Sequence, residues 1–282
     1  KQKTVAIIQA RLTSSRFPKK VLQKLGNKTL IEILIGRLNK SKEIDEIVLA
    51  IPDNKKNKEI RTKINIKNPI FCGDENDVLD RYYKAAKKYK AKTIVRICGD
   101  CPFVDPNVVD KIIKFFKKTN YDYVSNTLNP TYPDGLDAEV FSIESLKKAW
   151  KESTSIYDRE HVTKFIVSSN KFKKKNLTFK KNLSSIRLTI DEKKDFLQLK
   201  KVYQKLRKYK FFGIEEIYDL YKKNKKIFDV NKFIKRNEGS LLNTGQKYWK
   251  RAQNIIPGGN MLLSKRPEMF LPGNWPAYFS KA

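Results

Sequence analysis

Val5-Ala6-Ile7-Ile8-Gln9-Ala10-Arg11-Leu12-Thr13-Ser14-Ser15-Arg16-Phe17-Pro18-Lys19-Lys20-Val21-Leu22 opens on an apolar run and empties into a loop of small and cationic residues. Four consecutive apolar residues bounded by polar ones read as a buried strand. A buried strand that ends in such a loop is where an α/β protein holds phosphates. Small residues let backbone N–H groups approach an anion, and Arg11, Arg16 and Lys20 neutralise it. The loop is not a P-loop, because no G-x-x-x-x-G-K-[ST] is present. Arg11 or Lys20 alone reads as a basic surface residue after a core strand. The string as a whole reads as an anion cradle.

Outward from this stretch, strand and helix patterns alternate. Apolar runs at 47–51, 70–72, 93–97 and 121–125 read as strands beside 5–9, and amphipathic segments at 29–38, 55–64, 78–89 and 106–118 read as helices. Thr29, Asp77 and Asp105 stand where N-caps belong, and Pro106 fits a first helical position. This alternation predicts an α/β fold with a mostly parallel, doubly wound sheet. Ligands in such sheets bind beyond the carboxyl ends of the strands, which puts the loop after Gln9 and the loop at Gly99 on one rim. Beyond Ser125 the pattern predicts strands at 136–141 and 186–190 and helices at 142–150, 158–168, 195–209 and 213–223. A linker begins near Asn237-Glu238-Gly239-Ser240, so 1–236 reads as one domain and 237–282 as a linker with the start of another.

The chain has 282 residues, 40% of them hydrophobic, enough to bury a sizeable core. No apolar run reaches the roughly 18 residues that span a bilayer, and the N-terminal stretch lacks a signal-peptide layout. The expectation is a cytoplasmic protein without a membrane partner. The formal net charge of +31 suits nucleic acid, an anionic surface or a polyanionic substrate. The excess is mostly Lys and is spread along a chain also rich in Ile and Asn, which fits compositional drift. A nucleic-acid stripe is local, contains Arg and interleaves aromatics. Residues 171–181, with Phe172 and Phe179, come nearest to one and otherwise read as a solvated edge.

Cys72, Cys98 and Cys101 make no disulfide framework. Cys98-Gly99-Asp100-Cys101 is formally a C-x-x-C, yet Pro102 and a second turn intervene before the next helix. A zinc site would have to recruit Cys72 and His161, the single histidine. One histidine also speaks against a Ser-His-Asp hydrolase.

The opening stretch resembles the N-terminal signature of the cytidylyltransferases that activate acidic sugars, and more narrowly their spore-coat polysaccharide branch. Cys72-Gly73-Asp74-Glu75-Asn76-Asp77-Val78-Leu79-Asp80-Arg81-Tyr82 points to that branch. Arg96-Ile97-Cys98-Gly99-Asp100-Cys101-Pro102 resembles a strand-end motif of the family whose Asp binds magnesium, and Ile186-Arg187-Leu188-Thr189-Ile190-Asp191 a second whose Asp completes that site. Tyr132-Pro133-Asp134-Gly135-Leu136-Asp137-Ala138-Glu139 and Asp158-Arg159-Glu160-His161-Val162-Thr163 are similar to its acceptor-side strings. The likeness covers roughly 4–235. It implies a Rossmann-like nucleotidyltransferase that uses CTP and Mg²⁺ and makes a CMP-sugar and pyrophosphate from a sugar acid for surface polysaccharide. By position it implies Arg11, Arg16, Lys20 and Asp100 as catalytic residues. Ala10, Arg11, Ser14, Ser15, Arg16, Lys20, Gly73 and Arg81 would bind nucleotide. Asp137, Glu139, Arg159 and His161 would meet the acceptor, and Asp100 and Asp191 the metal. Two carboxylates suffice for Mg²⁺, which takes its other ligands from phosphate and water. A homodimer is expected. The family usually carries Gly where Lys19 stands and Pro where Lys164 stands. The stretch from Tyr248 to Gly259 resembles the opening of glutamate-1-semialdehyde aminomutase-like aminotransferases, which implies a fused or partner aminotransferase.

Plainer readings stand beside these. Asp100 and Asp191 singly are turn formers or helix caps, and Asp105 is better explained that way. Arg81 suits either a nucleotide contact or a salt bridge to Asp77, four residues earlier on one helix face. His161 suits either an acceptor contact or a core position. For the whole chain the alternatives are a nucleotidyltransferase with a sugar-phosphate or phosphonate acceptor, and a non-catalytic basic nucleic-acid-binding protein. The Asp100–Asp191 pair separates the last from the rest, because carboxylates aimed at a phosphate groove make sense only with a cation.

Overall fold

Alternating apolar residues in the first strand face two different layers. Ala6 and Ile8 pack with one set of helices, Val5 and Ile7 with another, so both faces of the sheet are covered. The computed structural model describes residues 2–14, 16–231, 234, 236 and 252. Ser15 and nearly all of 237–282, including the stretch similar to an aminotransferase, lie outside the described residues. The chain divides into two compact units, Lys1–Phe233 and Ile234–Ala282, and the strands and helices named below all lie in the first.

In chain order the elements are β1 (Thr4–Gln9), β2 (Lys24–Leu25), β3 (Lys28–Thr29), α1 (Leu30–Leu38), β4 (Glu46–Pro52), α2 (Lys55–Lys58), α3 (Ile60–Lys63), β5 (Ile70–Gly73), α4 (Val78–Lys88), β6 (Thr93–Cys98) and α5 (Pro106–Lys117). They continue with β7 (Tyr123–Ser125), β8 (Glu139–Ser142), α6 (Ile143–Glu152), α7 (Ile156–His161), α8 (Lys164–Ser168), β9 (Lys174–Asn176), α9 (Lys193–Leu206) and α10 (Ile214–Lys223). The main sheet runs β5-β4-β1-β6-β8-β7-β9, with β8 antiparallel to both neighbours and the other pairs parallel. The predicted α/β, doubly wound sheet is therefore the one observed. The chain moves outward from β1 through β4 to β5 and then returns to β6 on the other side of β1. This reversal is the switch point at which open α/β sheets leave a crevice. The register sets Gln9 opposite Cys98, so the loops after these two residues share one rim.

The capping residues act as their types suggest. Thr29 and Glu32 form a reciprocal capping box on α1, Asp77 accepts from the Asp80 amide, and Asp105 accepts from the Asn107 amide ahead of Pro106. One layer joins α1, α5, α9 and α10 to the sheet. The other joins α4, α6 and α8. Among the described residues no helix is long and apolar enough to cross a membrane.

The structure departs from the expected pattern in several places. The helix expected over 55–64 is two short ones, α2 and α3. The helix expected over 158–168 breaks at Val162 (φ 61°, ψ −60°), where the Thr163 amide donates to the His161 carbonyl at 2.6 Å in a tight three-residue turn. No strand forms over 186–190. The segment is buried, and its backbone bonds go to irregular neighbours. Leu188 N donates to the Asp134 carbonyl, and Ile190 N to that of Asp100. The strand expected over 136–141 starts only at Glu139, so Asp137 lies before it. The β2–β3 hairpin and β9 carry too few apolar residues to be read from periodicity, and β9 gives the Lys-rich 171–181 stretch an edge-strand role.

Gly135 (φ +103°) lets the Asp134 chain press against the 186–190 segment. A Cβ there would lie 2.6 Å from the Leu188 carbonyl carbon and from the Thr189 nitrogen. Gly135→Ala is expected to destabilise by about 2–4 kcal/mol, since it adds both backbone strain and a clash with main chain. Chemical denaturation measures this, and a loss below about 0.5 kcal/mol would contradict the packing described.

Candidate active site

The loop after β1 is closed before it reaches its cation. Leu12 is buried, its amide donates to Asn57 Oδ1 at 2.7 Å, and its carbonyl accepts from Lys19 N at 3.0 Å. Lys19 itself sits in the left-handed region (φ 55°, ψ 23°), a conformation Gly adopts freely and a Lys does not. The position thus has the backbone that the family's usual Gly would favour, and the Lys19 side chain pairs with Glu59 at the surface at 3.2 Å. The turn passes directly into the short 3-10 segment Lys20–Leu22 and directs Lys20 inward.

Lys20 Nζ donates to Asp100 Oδ2 at 2.9 Å, to Asp191 Oδ1 at 3.0 Å and to the Ile190 carbonyl at 2.6 Å. Burial alone would lower this ammonium's pKa, but Asp100 and Asp191 outweigh it and hold it above its ordinary value. Arg16 reaches the same Asp191 oxygen at 3.1 Å from the solvent side. Burial would likewise raise the Asp191 carboxyl. Lys20, then Arg16 and a bond from Arg187, reverse the sign and keep it below the usual carboxylate range. Gly99 supports the rim from below. Its amide donates to the Gln9 carbonyl at 2.9 Å, and a Cβ there would lie 2.6 Å from that oxygen and 3.1 Å from the Ala10 Cβ. Two loops distant in sequence can touch only because both contact residues are small.

Arg187 was not singled out by the sequence, nor were Arg96, Asp134 and Asp195. Arg187 is buried, and its guanidinium joins three carboxylates: Nη1 to Asp134 Oδ2 at 2.8 Å, Nε to Asp195 Oδ1 at 3.0 Å and Nη2 to Asp191 Oδ2 at 3.0 Å. The four-residue steps from Arg187 to Asp191 to Asp195 would suggest a helix face, yet the first two residues lie in irregular chain. The sequence signal was present but pointed to the wrong geometry.

The remaining expected residues distribute around this centre. Arg11 is exposed and faces Glu160 of α7 at 3.8 Å, and Ser14 is half-buried on the loop. Arg81 is buried rather than paired with Asp77. Its side chain packs on Gly73, and its Nη1 donates to the Asp74 carbonyl. Asp77 instead takes Arg159, whose Nη2 and Nε lie 2.6 and 2.7 Å from Asp77 Oδ2 and whose Nη1 donates to the Trp150 and Ser153 carbonyls. Arg159, expected toward an acceptor, is thus engaged in tying α7 to α4 and α6. Glu139 is buried against Arg96 at 3.0 Å and accepts from Thr163 Oγ1 at 2.9 Å, while Arg96 also reaches Gln9 Oε1 at 3.3 Å. Its oxygens are engaged within the protein wall. Asp137 is half-buried at the start of this segment. His161 packs edge-on to Tyr157, and burial holds its pKa below the ordinary value, so the ring is neutral near neutral pH. Burial pushes the Cys98 thiol up to about 12 and Cys101 also upward, which leaves neither as a reactive thiolate.

Among the described residues no group of three or more His, Cys, Asp or Glu is disposed to hold a metal. Asp100 and Asp191 present a smaller donor set. Their nearest oxygens both contact one cation, the Lys20 ammonium, and so lie no further apart than about 5.9 Å, the sum of its two contact distances. A pair of carboxylates already directed at a shared positive charge suits a divalent ion that takes its other ligands from phosphate and water.

The cytidylyltransferase family pattern matches residues 5–234. An uncharacterised protein of Methanocaldococcus jannaschii is 41% identical over 83% of this chain and 96% of its own length. The spore coat polysaccharide biosynthesis protein SpsF of Bacillus subtilis is 34% identical over 71% of this chain and 85% of its own. The solved structure of a cytidylyltransferase from Leptospira borgpetersenii superposes with a TM-score of 0.76 at 28% identity, covering 81% of this chain and 97% of that one. The chain belongs to the cytidylyltransferase family, with an α/β nucleotidyltransferase fold. Within that family it is of the spore-coat type to which its sequence motifs point.

The Lys20 geometry ranks two substitutions by their cost. Lys20→Ala is expected to cost about 1–3 kcal/mol, because it strips a part-buried charge from two carboxylates. Arg16→Ala, on a more exposed pair, should stay within about 0.5 kcal/mol. Urea melts rank the two, and an equal loss would mean that Lys20 does not hold the rim together. Lys19→Gly should leave stability unchanged or raise it by up to about 1 kcal/mol, through relief of the left-handed backbone. A loss above about 1 kcal/mol in the same melt would contradict that turn.

Proposed function

We propose that this nucleotidyltransferase moves the cytidylyl group of CTP onto a sugar acid, releasing pyrophosphate, in the assembly of a surface polysaccharide. The observation that carries the reading is the convergence of Lys20, Arg16, Asp100 and Asp191 at the switch point of the sheet. Cations for a triphosphate and paired carboxylates for a metal meet there on one rim.

In this reading Arg11, Arg16 and Lys20 line the triphosphate, with Ser14 and the small backbone around Ala10 alongside. Asp100 and Asp191 would hold magnesium, which supplies charge neutralisation at the phosphate oxygens when bound. Lys20, freed from the carboxylates, turns to the phosphates. An acceptor hydroxyl oxygen attacks the α-phosphorus, and the bond from that phosphorus to the bridging oxygen of the β-phosphate breaks. Pyrophosphate leaves with the electron pair, and the hydroxyl proton passes to water. Positioning and charge neutralisation carry most of such a reaction. In the same reading Asp137 and His161 would meet the acceptor, and Glu139, engaged with Arg96 and Thr163, and Arg159, engaged with Asp77, would brace that side. The 3-deoxy-manno-octulosonate cytidylyltransferase relatives support the sugar-acid class of acceptor, and the SpsF relative supports the link to a polysaccharide.

CTP with Mg²⁺ is expected to raise the melting temperature more than ATP, GTP or UTP, in line with about 2.7 kcal/mol at a hundredfold excess over Kd. Pyrophosphate release should then depend on a sugar acid, and Asp100→Asn should abolish it while leaving the protein folded. Equal shifts with all four triphosphates would remove cytosine selectivity. Release driven by a sugar phosphate or phosphonate would move the acceptor to another class.

A further inference from the structure

We propose that Arg187 is a positioning residue that fixes the orientation of the Asp191 carboxylate toward a bound cation. The inference rests on the metal and nucleotide reading above. Asp191 is held from two sides. Its Oδ1 faces Lys20 and Arg16, and its Oδ2 takes Arg187 Nη2 at 3.0 Å. Its backbone is held by the same assembly, since the Asp191 amide donates to Asp195 Oδ2 at 2.8 Å and the Glu192 amide joins it at 3.0 Å. Neither the side chain nor the main chain of Asp191 can rotate without breaking a bond to the Arg187–Asp195 pair.

That pair is itself anchored. The Asp195 side chain is fully buried, and its Oδ1 also accepts from Asn231 at 2.6 Å. Arg187 Nη1 is held by Asp134 at 2.8 Å, and the Asp134 and Arg187 segments are joined through backbone bonds at Asp134 N to Ile186 O and Leu188 N to Asp134 O. Gln198 of α9 donates to the Arg187 carbonyl at 2.6 Å. A planar fork holds three carboxylates in fixed directions, whereas an ammonium on a flexible stem is a rotatable point charge that sets no such orientation. Such rigidity is what a ligand to a small, geometrically demanding cation needs, and outer partners of metal ligands commonly govern affinity by about 10- to 100-fold.

Arg187→Lys tests this in the full-length chain. At a fixed CTP concentration, Mg²⁺ is titrated and the nucleotide-dependent thermal shift is followed. The Mg²⁺ concentration at half-maximal shift is expected to rise about tenfold. In turnover assays kcat at fixed Mg²⁺ should fall while KM for the acceptor stays within about twofold, and raising Mg²⁺ should restore part of kcat. A lower melting temperature with an unchanged Mg²⁺ midpoint would show a merely structural role and overturn the proposal. Should Arg187→Lys not fold, Asp195→Asn tests the same hold, since it weakens both the Arg187 pair and the Asp191 amide bond. A midpoint unchanged there also overturns it. If the parent protein shows no Mg²⁺-dependent response to CTP, the nucleotide reading fails and this inference with it. A parent that responds alongside variants with the parental midpoint removes the role of Arg187 alone.

Discussion

One ammonium group sits between Asp100, Asp191 and the Ile190 carbonyl, and it joins three segments that are 80 and 171 residues apart in the chain. Taking a lysine out of water is costly unless it is paired and hydrogen-bonded, and here all three of its donors have acceptors. The surrounding architecture serves that convergence. The left-handed Lys19 turns the chain inward, the Leu12 and Asn57 bond holds the loop shut, and Gly99 lets the β6 loop lie on the β1 loop. Arg187 supports Asp191 from behind.

Around that centre the polar residues divide into two groups. Arg159, Glu139, Arg96 and Arg81 are engaged by neighbours in the protein, with Asp77, Thr163, Gln9 and the Asp74 carbonyl as partners. These form stiff walls. Arg11 and Arg16 are exposed at the mouth, where a net charge of +31 already favours an anion's approach. A site for phosphoryl chemistry profits from both, because donors fixed in advance need no reorganisation when charge develops. The tight turn at Val162 belongs to the walls. A β-branched residue at positive φ is strained, and it persists here where His161 and Thr163 on either side are both packed into the structure.

Much of this was legible in the chain itself. Buried strands such as Val5 to Ile8 are readable because a parallel sheet covered on both faces leaves apolar runs. Helix starts at Thr29, Asp77 and Asp105 are readable because a short polar side chain satisfies amides that a helix cannot. The shared rim followed from the alternation of strands and helices alone, Lys20 and Arg16 from the loop after the first strand, and Asp100 and Asp191 from strings that resemble the family's strand-end motifs. Polar elements were not legible. β9 and the β2–β3 hairpin are held by backbone pairing, which leaves no apolar period behind.

Which charges meet was decided only in three dimensions. One of two readings of Arg81 made it the partner of Asp77 on one helix face, and Arg159 from 82 residues away holds that Asp instead. Segment 186–190 has the composition of a strand, yet Gly135 and the Asp134 backbone hold it in irregular chain, where Arg187 can gather three carboxylates. The sequence determined the sheet, the caps and the kinds of charge on the rim, because burial and capping act between residues close along the chain. The pairing of those charges required the tertiary structure, because a guanidinium or ammonium takes whichever carboxylate packing brings to about 3 Å, and sequence separation carries no information about that distance.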